Sequence, residues 1–354
     1  MAKELWKGNE AVAEAAIRAG CRYFFGYPIT PQNEIPEYFA RHMPEHGGVF
    51  LQAESEVAAI NMTYGAAGCG ARVMTSSSSP GISLKQEGIS YLAGAELPVV
   101  IVNMMRGGPG LGSIAPAQSD YFQATRGGGN GDYRTVVLAP ATVQEMTDLA
   151  QEAFDIADQY RIPVMILADG MIGQMMEAVE WKKPKARKLP KKSWATDGTK
   201  GEREHNIINS LFIDPKDCSE HNIRLQQKYD AISKNEVRNE ELYTDDAEVL
   251  FVAYGTTARI CHAAALKLRE SGVKAGVFRP ISLWPFPERE LYACANRNGV
   301  KAVVCAEMSM GQMIDDVRIA LNGTKPIRFF GTGGGTFPTP AELVQTALRA
   351  LEGE

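Results

Sequence analysis

The chain has 354 residues, which at ~100–200 residues per domain suggests about two domains. With 45% hydrophobic and 22% charged residues, wholesale disorder is excluded. A formal net charge of −5 argues against a nucleic-acid partner, and the longest apolar run, Leu97 to Val102, falls far short of the ~20 residues of a membrane span.

The N-terminus, Met1 to Trp6, leads into a helical pattern with no signal-type apolar stretch, so the expected compartment is the cytoplasm. Gly8-Asn9-Glu10 opens a helix with Ala11, Val12, Ala15, Ala16 and Ile17 on one side, and Gly20 sits where a C′ glycine belongs. An apolar run follows at Tyr23 to Tyr27, then a helix from Pro31 to Met43 with Pro31 suited to its first turn. Further short apolar runs lie at Val49–Leu51, Val73–Met74, Val99–Val102, Val136–Leu138 and Val164–Leu167, with a clear helix at Thr142 to Tyr160. Short β-branched runs alternating with helices predict an α/β fold, a doubly wound parallel sheet covered on both faces.

Residues 181–245 break the rhythm and read as a connector. Its basic run, Lys182, Lys183, Lys185, Arg187, Lys188, Lys191 and Lys192, is either a solvated linker or a patch for an acidic partner. A helix is expected at Asp214 to Lys234. From residue 246 to 354 the α/β rhythm returns: strands at 249–253, 274–278, 302–306 and 327–330, helices at 255–271, 287–296, 311–321 and from Pro340. This predicts a second, smaller doubly wound domain after a first domain at 1–180.

The six cysteines, Cys21, Cys69, Cys218, Cys261, Cys294 and Cys305, include no C-x-x-C pair, and the five histidines form no H-E-x-x-H. They read as unpaired thiols in a reducing compartment, not as ligands of a zinc site or an iron–sulfur cluster.

Ligands in open α/β sheets sit at the C-terminal ends of strands, which selects the loops that could carry chemistry. In Gly26-Tyr27-Pro28-Ile29-Thr30-Pro31 the Thr30 hydroxyl either caps a helix or faces a ligand. In Gln52-Ala53-Glu54-Ser55-Glu56 two carboxylates either complement a helix dipole or include an acid with a raised pKa. The small residues that follow Glu56 favour the desolvation such an acid needs. Thr75 to Gly81 offers hydroxyls and N–H groups for an anion, or a plain polar turn. Arg106 before Gly107-Gly108-Pro109-Gly110-Leu111-Gly112 either clamps a carboxylate or phosphate or makes a surface ion pair. That glycine cluster does not match a dinucleotide fingerprint. Gly255-Thr256-Thr257 and the loop from Gly331 to Pro338 lack G-K-[ST] and read as tight turns or docking surfaces.

Taken together, several phrases resemble one family: GNEAVAEAAIRAGCRYFFGYPITPQNEIPEYF (8–39), GGVFLQAESEVAAINMTYGAAG (47–68), MTSSSSPGISLKQEGISYLAGAELP (74–98), MRGGPGLGS (105–113), QSDYFQATRGGGNGDY (118–133) and YGTTAR (254–259). The chain resembles the thiamine-diphosphate-dependent 2-oxoacid:ferredoxin oxidoreductases, and among them the pyrimidine-binding subunits of the branched-chain 2-oxoisovalerate enzymes. The resemblance implies a pyrimidine-binding domain followed by a transketolase C-terminal-like domain. It implies a cytoplasmic hetero-oligomer of anaerobic metabolism that converts a 2-oxoacid and coenzyme A to acyl-CoA, CO2 and reduced ferredoxin. A diphosphate-binding subunit would hold the diphosphate and Mg2+. That subunit, a gamma subunit and a ferredoxin-like iron–sulfur subunit would complete the enzyme, with the [4Fe–4S] clusters outside this chain. The family's G-D-G motif for the diphosphate is absent, since Asp169-Gly170 follows Ala168 and Gly131-Asp132 precedes Tyr133.

Residue by residue, the resemblance implies that Glu56 shares a proton with the aminopyrimidine and so activates the thiazolium carbon. It implies that Thr30 and Arg106 contact the 2-oxoacid and that Pro28 lies beside the cofactor. Alternatives are a 2-oxoglutarate enzyme, which needs a further cation for the distal carboxylate, a non-catalytic assembly subunit, and a free-standing nucleotide-binding α/β protein.

Overall fold

The computed structural model describes residues 3–182 and 186–353. The elements in the first half are β1 (Glu4–Lys7), α1 (Gly8–Arg18), β2 (Tyr23–Gly26), α2 (Glu34–His42), β3 (Val49–Gln52), α3 (Glu56–Gly68), β4 (Val73–Ser77), α4 (Ser79–Gly94) and β5 (Val99–Met105). They continue with α5 (Tyr121–Thr125), β6 (Val136–Leu138), α6 (Val143–Tyr160), β7 (Pro163–Asp169), α7 (Gly170–Gln174) and β8 (Met176–Val179). Then follow α8 (Pro215–Asn235), β9 (Asn239–Leu242), β10 (Val249–Val252), α9 (Gly255–Glu270), β11 (Ala275–Pro280) and β12 (Ser282–Trp284). The chain closes with α10 (Glu288–Ala295), β13 (Ala302–Glu307), α11 (Met313–Leu321), β14 (Ile327–Gly331) and α12 (Pro340–Glu352).

Of the two main sheets, the larger has the order β12-β6-β7-β5-β4-β2-β3 and the smaller β14-β13-β10-β11-β9; β1 and β8 form a separate two-stranded antiparallel ribbon. Every pairing within the larger sheet is parallel except β12 with β6. In the smaller sheet only β9 runs antiparallel to its neighbour. The expected mixed α/β fold with parallel sheets is therefore present. Central strands β5 and β7 are buried along their whole length, as strands covered on both faces must be. One face of the larger sheet packs on α1, α2, α6 and α8 through residues such as Val12, Phe39, Phe154 and Ile232. The other packs on α3 and α4, and its core runs on through Leu291 and Val317 into the smaller sheet.

Two short strands cross the expected boundaries. β9 lies inside the connector yet forms an edge of the smaller sheet, and β12, from the later part of the chain, closes the larger one. The helix expected from Pro31 begins at Glu34 instead. The Pro31 carbonyl accepts from Asn9 Nδ2 at 2.7 Å and Gln174 Nε2 at 2.8 Å, which ties this turn to α1 and α7. In the basic run Arg187 pairs with Glu236 and Lys192 with Asp158, so these two anchor the connector to the body. Lys188 and Lys191 are exposed, and Lys183 and Lys185 lie outside the described residues.

The two sheets are bolted together by polar groups. Gln118 donates its amide to the Tyr254 carbonyl at 2.9 Å, and its Oε1 accepts from Thr257 Oγ1 at 2.7 Å and from the Met308 N–H at 3.1 Å. Asp169, at the end of β7, caps the N-terminus of α9 by accepting from the N–H and hydroxyl of Thr256. Gly255-Thr256-Thr257 is thus an inter-sheet joint, and its helix N-terminus already holds a carboxylate of this chain.

Candidate active site

The order β5-β4-β2-β3 sets four strand ends side by side, so the turns after these strands share one rim. Each turn contributes a residue singled out from the sequence: Thr30 after β2, Glu56 after β3, the serines around Ser78 after β4, and Arg106 after β5.

Glu56 is the first residue of α3. The Ser55 side chain caps that helix by accepting from the Ala58 N–H at 3.2 Å, which fixes where Glu56 emerges. Glu56 is only 6% exposed, while Glu54, two residues earlier, is exposed to solvent. The two carboxylates are therefore not equivalent. The Glu56 carboxylate rests against the backbone of Gly81 in the first turn of α4: a Cβ at that position would lie 2.6 Å from Glu56 Oε1 and would also strike Ser77 Oγ. Glycine is required there by close approach, not by backbone conformation.

Beneath this carboxylate lies a buried polar floor. β4 runs on beyond the apolar Val73–Met74 to Ser77, so Thr75, Ser76 and Ser77 are strand residues and not a loop. Polar side chains are tolerated in this central strand because most find partners. Thr75 Oγ1 donates to the Phe25 carbonyl at 2.7 Å, and Ser76 Oγ donates to Gln32 Oε1 at 2.5 Å. Lys85 of α4 is completely buried, and its ammonium donates to Thr75 Oγ1 at 2.5 Å and the Ser76 carbonyl at 3.0 Å. Burial pushes the Lys85 ammonium down to about 7, against the opposing field of Glu56. The hydroxyls of Ser77 and Ser78 are buried without a partner.

Arg106, 8% exposed, is held by main chain alone. Its Nη1 donates to the Thr30 carbonyl at 3.1 Å and its Nη2 to the Leu111 carbonyl at 3.0 Å. Its Nε is buried with no partner. Among the described residues no carboxylate pairs with it, so the surface-ion-pair alternative does not hold. Ser79 ties this residue to α4: its Oγ accepts from the Arg106 N–H at 3.0 Å and donates to Asp120 Oδ2 at 2.6 Å. Burial raises the Asp120 carboxyl, opposed by the hydrogen bonds from Ser79 and Asn103. Thr30 is exposed and does not cap α2, whose N-cap position is Asn33; Pro28 is exposed on the same turn. Glu56, Gly81, Ser79, Arg106 and Thr30 thus form one contiguous line of contacts.

The glycine loop after Arg106 closes on itself, with the Ser113 N–H donating to the Gly107 carbonyl at 2.9 Å. It packs against the loop after β14: a Cβ on Gly107 would lie 2.9 Å from the Gly334 carbonyl carbon. Both glycine loops are therefore docking turns between the sheets. Sequence reasoning passed over Lys85, Gln32 and Asp120. The available signal was a lysine four residues after Gly81 and three before Gly88, on the small-residue face of a helix.

Two family models match the chain. The first, pyruvate flavodoxin/ferredoxin oxidoreductase, thiamine diphosphate-binding, covers residues 14–241; the second, pyruvate:ferredoxin oxidoreductase core domain II, covers 247–343. The ketoisovalerate oxidoreductase subunit VorB of Methanothermobacter thermautotrophicus is 50% identical over all of this chain and 99% of its own length. The 2-oxoglutarate synthase subunit KorA of Archaeoglobus fulgidus is 39% identical over 94% of this chain and 96% of its own. A solved structure of the 2-oxoglutarate:ferredoxin oxidoreductase from Magnetococcus marinus, with 2-oxoglutarate, coenzyme A and succinyl-CoA bound, superimposes with a TM-score of 0.86 at 26% identity. That match covers 99% of this chain, which spans 65% of the longer one. The chain belongs to the 2-oxoacid:ferredoxin oxidoreductase family, as a subunit of the thiamine-diphosphate-binding type. Its activity class is oxidoreductase acting on 2-oxoacids with ferredoxin as acceptor. Among the described residues no helix is long and apolar enough to cross a membrane.

Proposed function

We propose that this chain supplies the pyrimidine-facing half of a split active site. The assembled enzyme would decarboxylate a branched-chain 2-oxoacid oxidatively, with coenzyme A, to acyl-CoA, CO2 and reduced ferredoxin. The observation that carries this reading is one juxtaposition. A buried carboxylate, Glu56, and a buried guanidinium with an unpartnered Nε, Arg106, lie on one rim, linked through Gly81 and Ser79. The first suits a heterocycle that exchanges a proton; the second suits a small carboxylate.

Bound thiamine diphosphate supplies the carbon nucleophile for the 2-oxo group. Glu56 holds and moves a proton at one ring nitrogen of the pyrimidine. Arg106 holds the 2-oxoacid carboxylate, oriented by the carbonyls of Thr30 and Leu111. The Thr30 hydroxyl, exposed at the mouth, bonds the 2-oxo oxygen, and Pro28 borders the cofactor side of the turn.

The diphosphate, its Mg2+ and the [4Fe–4S] clusters are assigned to a diphosphate-binding subunit, a gamma subunit and a ferredoxin-like iron–sulfur subunit. The thiols here suit that division. Cys21, Cys261, Cys294 and Cys305 are buried, while Cys69 is exposed and Cys218 half-buried; burial pushes the Cys21 thiol up to about 12, far from a ligating thiolate. On this reading residues 1–180 are the pyrimidine-binding domain, 181–245 the connector and 246–354 the transketolase C-terminal-like domain, with β9 and β12 exchanged across the joints. A cytoplasmic location follows from the dependence on ferredoxin.

A branched aliphatic substrate is favoured over 2-oxoglutarate by the higher identity to the ketoisovalerate subunits, 48% and 50%, against 37% and 39% for two 2-oxoglutarate subunits. On the rim, the unpartnered donor of Arg106 serves one carboxylate. The test is reconstitution with the partner subunits and a panel of 2-oxoacids with a viologen acceptor. A higher kcat/KM for 2-oxoisovalerate than for 2-oxoglutarate is expected; the reverse order overturns the substrate assignment.

A further inference from the structure

Lys85 has no part in the chemistry above, yet it is a fully buried cation one helical turn from the surface on which Glu56 rests. In α4, Gly81 and Lys85 are four residues apart and share a face. Helical side chains lean toward the N-terminus, so the Lys85 stem runs back over the Gly81 turn. That is the turn against which the Glu56 carboxylate lies.

The groups around the ammonium are otherwise neutral. From β4 it meets Thr75 Oγ1 and the Ser76 carbonyl. From the turn after β2 comes Gln32, reached only through Ser76. On α4 itself Glu87 is exposed and accepts from the Tyr91 hydroxyl, outside this floor. From α3 comes Glu56, the charged group whose field reaches Lys85. A buried cation supported only by a hydroxyl and a carbonyl is costly, and its retention calls for a charge to balance.

We propose that Lys85 is a positioning residue for Glu56: a buried counter-charge that stabilises the carboxylate left when Glu56 passes its proton to a bound ligand. The proposal rests on the reading of Glu56 given above. When Lys85 is charged, the ionised carboxylate is stabilised and proton donation is eased. Without that charge the ionised carboxylate loses its buried counter-charge and turnover slows. Because burial brings the ammonium down to about 7, this balance changes near neutral pH.

The coupling is measured first without substrate, in the full chain labelled with [15N]lysine. The Lys85 ammonium should titrate near 7, and Glu56→Gln should lower its midpoint further, because the carboxylate's field raises it. A midpoint near the ~10.4 of a solvated lysine, or no response to Glu56→Gln, overturns the proposal whatever the enzyme does. The consequence is measured in the reconstituted complex. Lys85→Met should lower kcat about tenfold and move the pH profile of kcat by about one unit, with KM for the 2-oxoacid nearly unchanged. Thr75→Ser keeps both the Lys85 charge and the hydroxyl that accepts from it, and should leave the pH profile in place. An equal shift in Thr75→Ser, or an unchanged profile in Lys85→Met, overturns the proposal. If Lys85→Met does not fold, the Glu56→Gln titration alone decides. Failure of the Glu56 reading itself would appear separately, as near wild-type turnover in Glu56→Gln.

Discussion

Arg106 donates from Nη1 to the carbonyl of Thr30 at 3.1 Å, so the guanidinium after β5 is aimed by the turn after β2. With Nη2 on the Leu111 carbonyl the fork is fixed in direction, and its buried Nε keeps an unpartnered donor. Lysine has the charge but not the fork. Arg106→Lys is therefore expected to lower kcat/KM for the 2-oxoacid roughly 10–100-fold, the equivalent of losing ~1.5–3 kcal/mol of charged hydrogen bonding. Steady-state kinetics of the reconstituted complex checks this. An unchanged kcat/KM would remove Arg106 from the substrate site.

Gly81→Ala tests the close approach in α4. Alanine has the better helix propensity, but its Cβ would also strike the buried Ser77 Oγ, which must turn aside. The added Cβ would sit 2.6 Å from Glu56 Oε1, and the carboxylate must move. Thermal stability should fall modestly, while turnover of the folded, assembled enzyme falls about tenfold or more. Wild-type turnover would show that the carboxylate is not seated against this turn in the working enzyme.

Gln118→Met keeps the volume and removes the inter-sheet bolt. The Tyr254 carbonyl, the Thr257 hydroxyl and the Met308 N–H would each lose a buried partner. A destabilisation of about 1–3 kcal/mol is expected, read as a lower urea midpoint. No change would mean that water replaces the amide at this joint.

Burial alone would push the Glu236 carboxyl up, but the Arg187 guanidinium, bonded at 2.6 and 3.0 Å, holds it below the usual range. Its contribution to stability is therefore present above the unfolded carboxyl value of ~4.3 and is lost as pH falls through the lower folded value. Arg187→Met should cost stability at pH 7, and the difference from wild type should narrow in acid. A difference that is constant with pH would contradict the ion pair.

The long apolar strands of both sheets were legible because burial on both faces leaves runs such as Val99–Val102 and Val303–Val304 with no polar interruption. The edge strands were not. β9 reads Asn-Glu-Glu-Leu and β12 Ser-Leu-Trp, and each exists only because a distant strand offers a partner. β4 read short because its last three residues are polar, and the partners of Thr75 and Ser76, namely Lys85, Gln32 and the Phe25 carbonyl, come from elsewhere in the chain. Of the candidate site, Glu56, Thr30 and Arg106 stood out as residues, but spacing could not show that Glu56 is buried while Glu54 is exposed. Lys85 escaped notice because a lysine in a helix is ordinarily solvated; only its neighbours Gly81 and Gly88 hint at the buried face.

The most direct measurement of the central claim is turnover of Glu56→Gln beside Glu54→Gln, both reconstituted with the partner subunits and with stoichiometry verified. Glutamine keeps the shape of Glu56 but cannot exchange its proton, so acyl-CoA formation should fall by roughly 10²–10⁴-fold, as for a lost acid–base group. The exposed Glu54 should tolerate the same change with little loss. Near wild-type turnover in Glu56→Gln, or an equal loss in Glu54→Gln, would contradict the assignment of the pyrimidine-facing acid to Glu56.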